Sequence, residues 1–278
     1  PQQLLDVLLA NRNLETSSQR QEFLHPTHPT KITPQDVGID PKELQKAVQL
    51  ILQAKKEKWN VLVFGDYDCD GICGTAVLWE TLYGIGVKAM PFIPERDKHG
   101  YGLSGKALDD ILNQPADQLP QLLITVDNGV VAYDAFARLK KLNIKTILTD
   151  HHQPDPRNNE IYPPTNAKVH TTKLCGTTVA WMLARELDSK KAESMLDLCA
   201  IATIADQVPL FNANRSFSKH GIVALRESKR AGLNFLIEYA NLDKQKIDTY
   251  AINYGIAPRI NAMGRIGDPK DALRLLCS

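Results

Sequence analysis

The chain has 278 residues, of which 43% are hydrophobic and 23% charged, and its formal net charge is +1. These proportions belong to a globular protein and exclude disorder as the main state. No uncharged apolar run reaches the roughly 18 residues that a membrane-spanning helix needs, and the near-zero net charge by itself selects no partner.

Residues 1–57 read as a mostly helical extension. Leu4, Leu5, Leu8 and Leu9 share one helical face, and the stretch from Pro41 to Ala54 forms another, with Pro41 in the first turn. The connector HPTHPTKITPQD between them reads as extended chain. The opening PQQLLDVLLANRN has no basic n-region or cleavage site, so no secretory signal is expected. The pattern then changes. VLVF leads into GDYDCDG, followed by the helical GTAVLWETLYGIG. KAMPFIP precedes the helical SGKALDDILNQ, LLITVDN precedes the helical VVAYDAFARLKKLN, and KTILTDHH closes the series. Short apolar runs alternating with helices predict an α/β fold, a central parallel sheet flanked by helices. From Cys175 onward the strand signals fade, and CGTTVAWMLARELDS, AESMLDLCAIATIAD and residues 213–276 predict a C-terminal helical subdomain. Its later part is basic: residues 211–278 carry eleven Lys/Arg against six Asp/Glu, a local +5, which favours an anionic ligand. The five cysteines, 69, 73, 175, 199 and 277, form no CxxC pair and point to a reducing cytoplasm.

In open α/β sheets, ligands bind beyond the carboxyl ends of the strands. Here those ends carry Asp66, Asp68 and Asp70 after the first run, Asp127 after the third, and Asp150, His151 and His152 after the fourth, while Asp206 ends an apolar helix. An isolated Asp at such a place is ordinarily a cap or turn former, but here the strand ends are decorated in regular order. Asp68 and Asp70, two residues apart, are expected to face one site, with Gly71 allowing a sharp turn into the next helix. So many carboxylates repel one another unless cations neutralise them, and oxygen ligands with imidazole suit Mn²⁺ or Mg²⁺. Two such ions could promote an in-line displacement at phosphorus.

GDYDCDG, TVDNG, TDHH and ATIADQVPL, in this order, resemble the four motifs of the DHH phosphoesterase superfamily. IPERDKHGYGLS, APRINAMGRIGD and FLHPTHPT further resemble segments of RecJ-type single-strand-specific exonucleases. The resemblance implies a DHH-type catalytic domain over residues 58–278, ending at the start of a connector helix to a DHH-associated domain. It implies two Mn²⁺ ions, with Mg²⁺ as the alternative, held by Asp68, Asp70, Asp127, His151 and Asp206, with Asp127 between them. Asp66 and Asp150 would orient those ligands, and His152 would face the scissile phosphate. The chain departs from the superfamily pattern at Phe64, where many members have His, and from the RecJ pattern at Met263, where Ala is usual.

Arg96, Arg259 and Arg265 are the expected phosphate contacts, because a guanidinium stays charged and grips phosphate through two donors. Tyr101 could stack on a base or sugar, and Asn261 could either bind a phosphate oxygen or cap a turn. The resemblance implies 5′-to-3′ exonucleolytic hydrolysis of single-stranded DNA to mononucleotides in repair and recombination. A single-stranded-DNA-binding protein and a helicase are the expected protein partners. The alternative is a phosphodiesterase of small nucleotides such as short oligonucleotides, pAp or cyclic dinucleotides, which would share the metal chemistry. A non-catalytic scaffold should have lost metal ligands, and here the motifs are intact.

Overall fold

The computed structural model describes residues 2–158 and 161–278. Its centre is a parallel sheet of five strands: β1 (Val61–Phe64), β2 (Ala89–Phe92), β3 (Leu122–Val126), β4 (Lys145–Asp150) and β5 (Ala167–His170). The strand order is β2-β1-β3-β4-β5. The chain moves outward from β1 to β2, then returns past β1 to lay down β3. The order therefore reverses between β1 and β3, and their carboxyl ends flank the natural ligand crevice of such a sheet.

Alternate residues of each strand serve opposite faces. Val61, Val63, Leu122, Ile124, Val126 and Ile147 join one core with the helices Pro41–Lys56, Cys69–Gly84 and Gly176–Leu187. Phe64, Leu123 and Leu148 join the other with Ala107, Leu108 and Ile111 of the helix Gly105–Leu112 and Phe136 and Leu139 of the helix Tyr133–Lys141. Burial on both faces is why the centres of these strands read as apolar runs. The helix Pro41–Lys56 starts where local chemistry directs it. The Asp40 side chain accepts the Lys42 N–H, Pro41 needs no N–H partner, and Lys55 and Lys56 lie in the last turn.

Several expectations change in detail. The N-terminal extension is not peripheral throughout, since Leu44, Ala47, Val48, Ile51 and Ala54 share the core of the sheet. The connector at 25–36 contains a 3₁₀ turn, Pro29–Lys31. β5 was not anticipated, because an edge strand half-exposed at Lys168 and His170 gives no continuous apolar signal. The segment carrying Arg259 and Arg265 lies within the expected helical region, with one irregularity: a π-helical turn, Ile252–Ile256, runs directly into the helix Ala257–Ile266. π-turns of this kind often occur at functional sites.

Candidate metal centre

After β1 the chain passes through Gly65 to Asp66, Tyr67 and Asp68 and enters the helix Cys69–Gly84. Asp68 is that helix's N-cap, and its Oδ1 accepts the Gly71 N–H at 2.9 Å. Gly71 lies inside the helix, so its role differs from the sharp turn expected. A Cβ there would lie 2.6 Å from the backbone nitrogen of Asp66, so only glycine lets the helix approach the preceding loop. Asp127 follows β3 directly and holds φ at +62°, a left-handed conformation uncommon outside glycine and favoured where a site constrains the backbone. β4 ends on Asp150, with His151 and His152 next. Asp206 is the C-cap of the helix Leu196–Ala205, where the helix dipole disfavours a carboxylate, so its place there needs another cause.

These side chains converge. His151 Nε2 lies 3.1 Å from Asp127 Oδ1 and 3.8 Å from both Asp70 Oδ2 and Asp206 Oδ2. Donor atoms fall within 4.8 Å of one another in three overlapping sets: Asp70, His151 and Asp206; Asp66, Asp68 and Asp127; and Asp127, His151 and His152. Asp68 and Asp70 thus enter different sets, against the expectation that they face one way. The helix begins between them, and two helical steps rotate a side chain by about 200°. Asp66, expected as an orienting group, is itself placed as a donor beside Asp68 and Asp127.

The local electrostatics are those of crowded acid. Burial, then the Asp68 charge, pushes Asp66 up to about 7. Burial, then Asp70, pushes Asp206 up to about 7 and Asp127 well above the carboxylate range. Asp127 Oδ1 is buried and makes no hydrogen bond among the described residues. His151 Nε2, 3.1 Å away, makes no hydrogen bond to it, and a buried carboxylate oxygen without one is costly unless a cation completes it.

The surrounding contacts hold this arrangement in place. Asp70 accepts the N–H groups of Gly176 at 2.7 Å and Thr177 at 2.8 Å, at the N-terminus of the helix Gly176–Leu187. A Cβ on Gly176 would come within 2.4 Å of Asp127 Oδ1. The sequence reading missed this support. Its signal was Cys175 at the N-cap, a residue that provides no side-chain cap and leaves the first helical N–H groups free for another acceptor. Asp150 is fully buried and accepts from His151 N, His152 N, His152 Nδ1 and Val130 N, all within 3.1 Å. Burial would raise Asp150, but the His152 hydrogen bond and charge and the backbone donors outweigh it and hold the carboxyl below its ordinary value. In return, the Asp150 hydrogen bond raises His152 above the usual imidazole range.

The expected substrate residues separate. Tyr101 reaches the cluster, its hydroxyl 3.1 Å from His152 Nε2. Arg96 stands over the Tyr67 ring at 5.9 Å, and Arg265 is exposed, one residue after Gly264, whose Cα packs against the Tyr67 carbonyl. Tyr67, between Asp66 and Asp68, was not singled out from sequence, yet its ring meets that of Tyr101 edge-on at 6.4 Å. Asn261 makes a tie of its own: its Oδ1 accepts the Cys69 N–H at 2.7 Å and fastens the helix Ala257–Ile266 to the acidic loop. Arg259 turns elsewhere, donating to the Gly255 carbonyl and lining an apolar groove with Leu236 and Met263. No described contact links it to the carboxylates.

Carboxylates on four elements, one central imidazole and a buried carboxylate oxygen without a hydrogen bond fit hard divalent cations such as Mn²⁺ or Mg²⁺. Comparison with known proteins points the same way. The chain is 34% identical over 284 residues to the single-stranded-DNA-specific exonuclease RecJ of Bacillus subtilis (strain 168), a match covering 99% of this chain and 35% of that protein. It is similar to a crystal structure of exonuclease RecJ bound to manganese (TM-score 0.75, 32% identity, 84% of this chain and 60% of that one). It is also similar to a crystal structure of RecJ from Thermus thermophilus in complex with Mn²⁺ (TM-score 0.77, 29% identity, 97% of this chain and 38% of that one). The chain spans about a third of the length of the Bacillus relative. Residues 60–203, more than half of the chain and the stretch that builds most of the cluster, match the DHH family, N-terminal domain. With the sheet and the acidic crevice agreeing with that match, the chain belongs to the DHH family.

Proposed function

We propose that this crevice is the catalytic site of a metal-dependent phosphodiesterase, and that its substrate is single-stranded DNA degraded from the 5′ end to mononucleotides. The observation that carries the reading is the buried Asp127 Oδ1, which makes no hydrogen bond among the described residues, between two sets of donors. Asp70, His151 and Asp206 would hold one divalent cation, and Asp66 and Asp68 a second, with Asp127 adjacent to both. Bound there, the cations would neutralise charge developing at phosphorus and make an attacking water more acidic. The chain's own groups do the rest. The Gly176 and Thr177 N–H groups keep Asp70 aimed into the site. Asp150 fixes the His152 ring, which offers a hydrogen bond or a proton to the scissile phosphate. Arg96, over the Tyr67 ring, and the exposed Arg265 grip the phosphate backbone.

The polymer substrate rests on the similarity to single-stranded-DNA-specific exonucleases together with the basic final quarter of the chain. Repair and recombination, a single-stranded-DNA-binding protein and a helicase as partners, and a cytoplasmic setting belong to the same proposal. The five cysteines are all free, which suits a reducing compartment. The test is the product pattern from 5′-labelled and 3′-labelled single strands with Mn²⁺. The proposal expects the 5′ label to leave first as a mononucleotide while the 3′-labelled strand shortens stepwise. Cleavage of a dinucleotide with no cleavage of long strands would favour a small-nucleotide hydrolase instead.

A further inference from the structure

We propose that His99 is a positioning residue for the phosphate-binding side of the site: it fixes the turn at residues 95–104 so that Arg96 and Tyr101 stand beside the acidic cluster. The proposal rests on the reading of Arg96 as a phosphate contact. The helix Arg96–His99 has four residues, too few to be stable by its own hydrogen bonds. The turn after it contains Gly100 at φ +77° and Gly102 at φ +61°, so its backbone has wide conformational freedom. Its shape must come from side-chain ties, and these meet at His99.

The His99 ring is buried, 3% exposed, against Phe92 at the end of β2, with ring centroids 5.5 Å apart. Its Nδ1 accepts the Glu95 backbone N–H at 2.9 Å. Because a donor points at Nδ1, the ring hydrogen is on Nε2, which donates to Asp110 Oδ2 at 3.2 Å on the helix Gly105–Leu112. The His99 carbonyl accepts the Ser104 hydroxyl, and Ser104 caps that same helix. One residue thus joins the strand end, the turn and the following helix. Arg96 leaves this frame toward Tyr67, and Tyr101 leaves it toward His152.

The two ring nitrogens can be tested separately. H99N places an amide oxygen where Nδ1 accepts, H99Q places an amide donor toward Asp110, and H99L keeps neither. The readout is binding of a fluorescent, 5′-phosphorylated oligothymidylate by anisotropy, using the full chain in Ca²⁺ at low ionic strength. The expected result is near wild-type affinity for H99N and about tenfold weaker binding for H99Q and H99L. Mn²⁺ affinity should stay unchanged in all three. If His99 acts through Arg96, H99L combined with R96A binds little more weakly than R96A alone. H99L binding as tightly as wild type would overturn the proposal, as would H99N binding no better than H99L. Additive losses would overturn the route through Arg96 while leaving the phosphate reading intact, whereas R96A binding like wild type would remove that reading itself. Independently of any variant, the ¹⁵N shifts of His99 should show Nδ1 without hydrogen, and the opposite tautomer would refute the proposal.

Discussion

Without divalent cations, the acidic crevice should make the folded chain less stable as pH rises. Asp66 is 2% exposed and titrates at about 7 in the folded chain, against an ordinary value of 3.8. Between those values the folded chain holds a proton that the unfolded chain has lost, so stability falls with rising pH across that window. From pH 5 to its folded pKa, Asp66 spans about two pH units, or about 3 kcal/mol at 1.36 kcal/mol per unit. Asp127 shifts in the same sense, and Asp206, whose side chain is 25% exposed, adds a smaller share. For a chain of this size, 3 kcal/mol corresponds to a melting temperature lower by about 6–12 °C. Thermal denaturation with a chelator at pH 5 and pH 8, at constant ionic strength, measures the difference. Saturating Mn²⁺ at pH 8 should restore the loss, since a ligand that binds only the folded state stabilises it. Asp66→Asn should flatten the metal-free profile, because the amide keeps an acceptor for the Tyr67 N–H and carries no charge. A metal-free midpoint equal or higher at pH 8, or no response to Mn²⁺, would refute the reasoning.

Other perturbations separate metal binding from substrate binding. Gly176→Ala should lower Mn²⁺ affinity with little change in helix content by circular dichroism, because the added carbon would press on Asp127 Oδ1; unchanged metal affinity would show that the helix yields easily. Arg265→Ala should weaken single-stranded DNA binding by about tenfold or more, since hydrogen bonds to charged groups contribute about 1.5–3 kcal/mol, and should leave metal titrations alone. Equal DNA affinity in the variant would end its phosphate role. Asn261→Ala removes the acceptor of the Cys69 N–H and should loosen the acidic loop, reducing Mn²⁺ and DNA affinity together; loss of DNA affinity alone would return Asn261 to a direct phosphate contact.

How far the sequence could be read follows from where each signal is local. β1, β3 and β4 announced themselves because helices cover both faces, nearly every position is buried and the middle of each strand is apolar. β5 did not, since Lys168 and His170 belong to a half-exposed edge. The ligands at strand ends were legible because sheet topology alone brings β1 and β3 together. The partition of Asp68 and Asp70 was not, because it depends on the helix starting at Cys69, within a stretch of Cys, Asp and Gly that has weak helical preference. Contacts between distant segments were hidden for a different reason. The tie from Asn261 to Cys69 and the grip of Gly176 on Asp70 join residues more than a hundred positions apart, and no periodicity encodes them. Arg259 and Arg265, on one helix, looked equivalent in sequence, and only the packing of that helix ties one to the Gly255 carbonyl and leaves the other exposed.

In the proposed site, Asp127 would stand between two cations in one crevice. Counting Mn²⁺ ions bound per chain at neutral pH by electron paramagnetic resonance, in the wild type and in Asp127→Asn, tests it most directly. The account expects two ions in the wild type, with coupled spins, and loss of at least one ion and of the coupling in the variant, its circular dichroism unchanged. A wild type that binds no Mn²⁺, or a variant that binds as many ions with the same affinity, would contradict it.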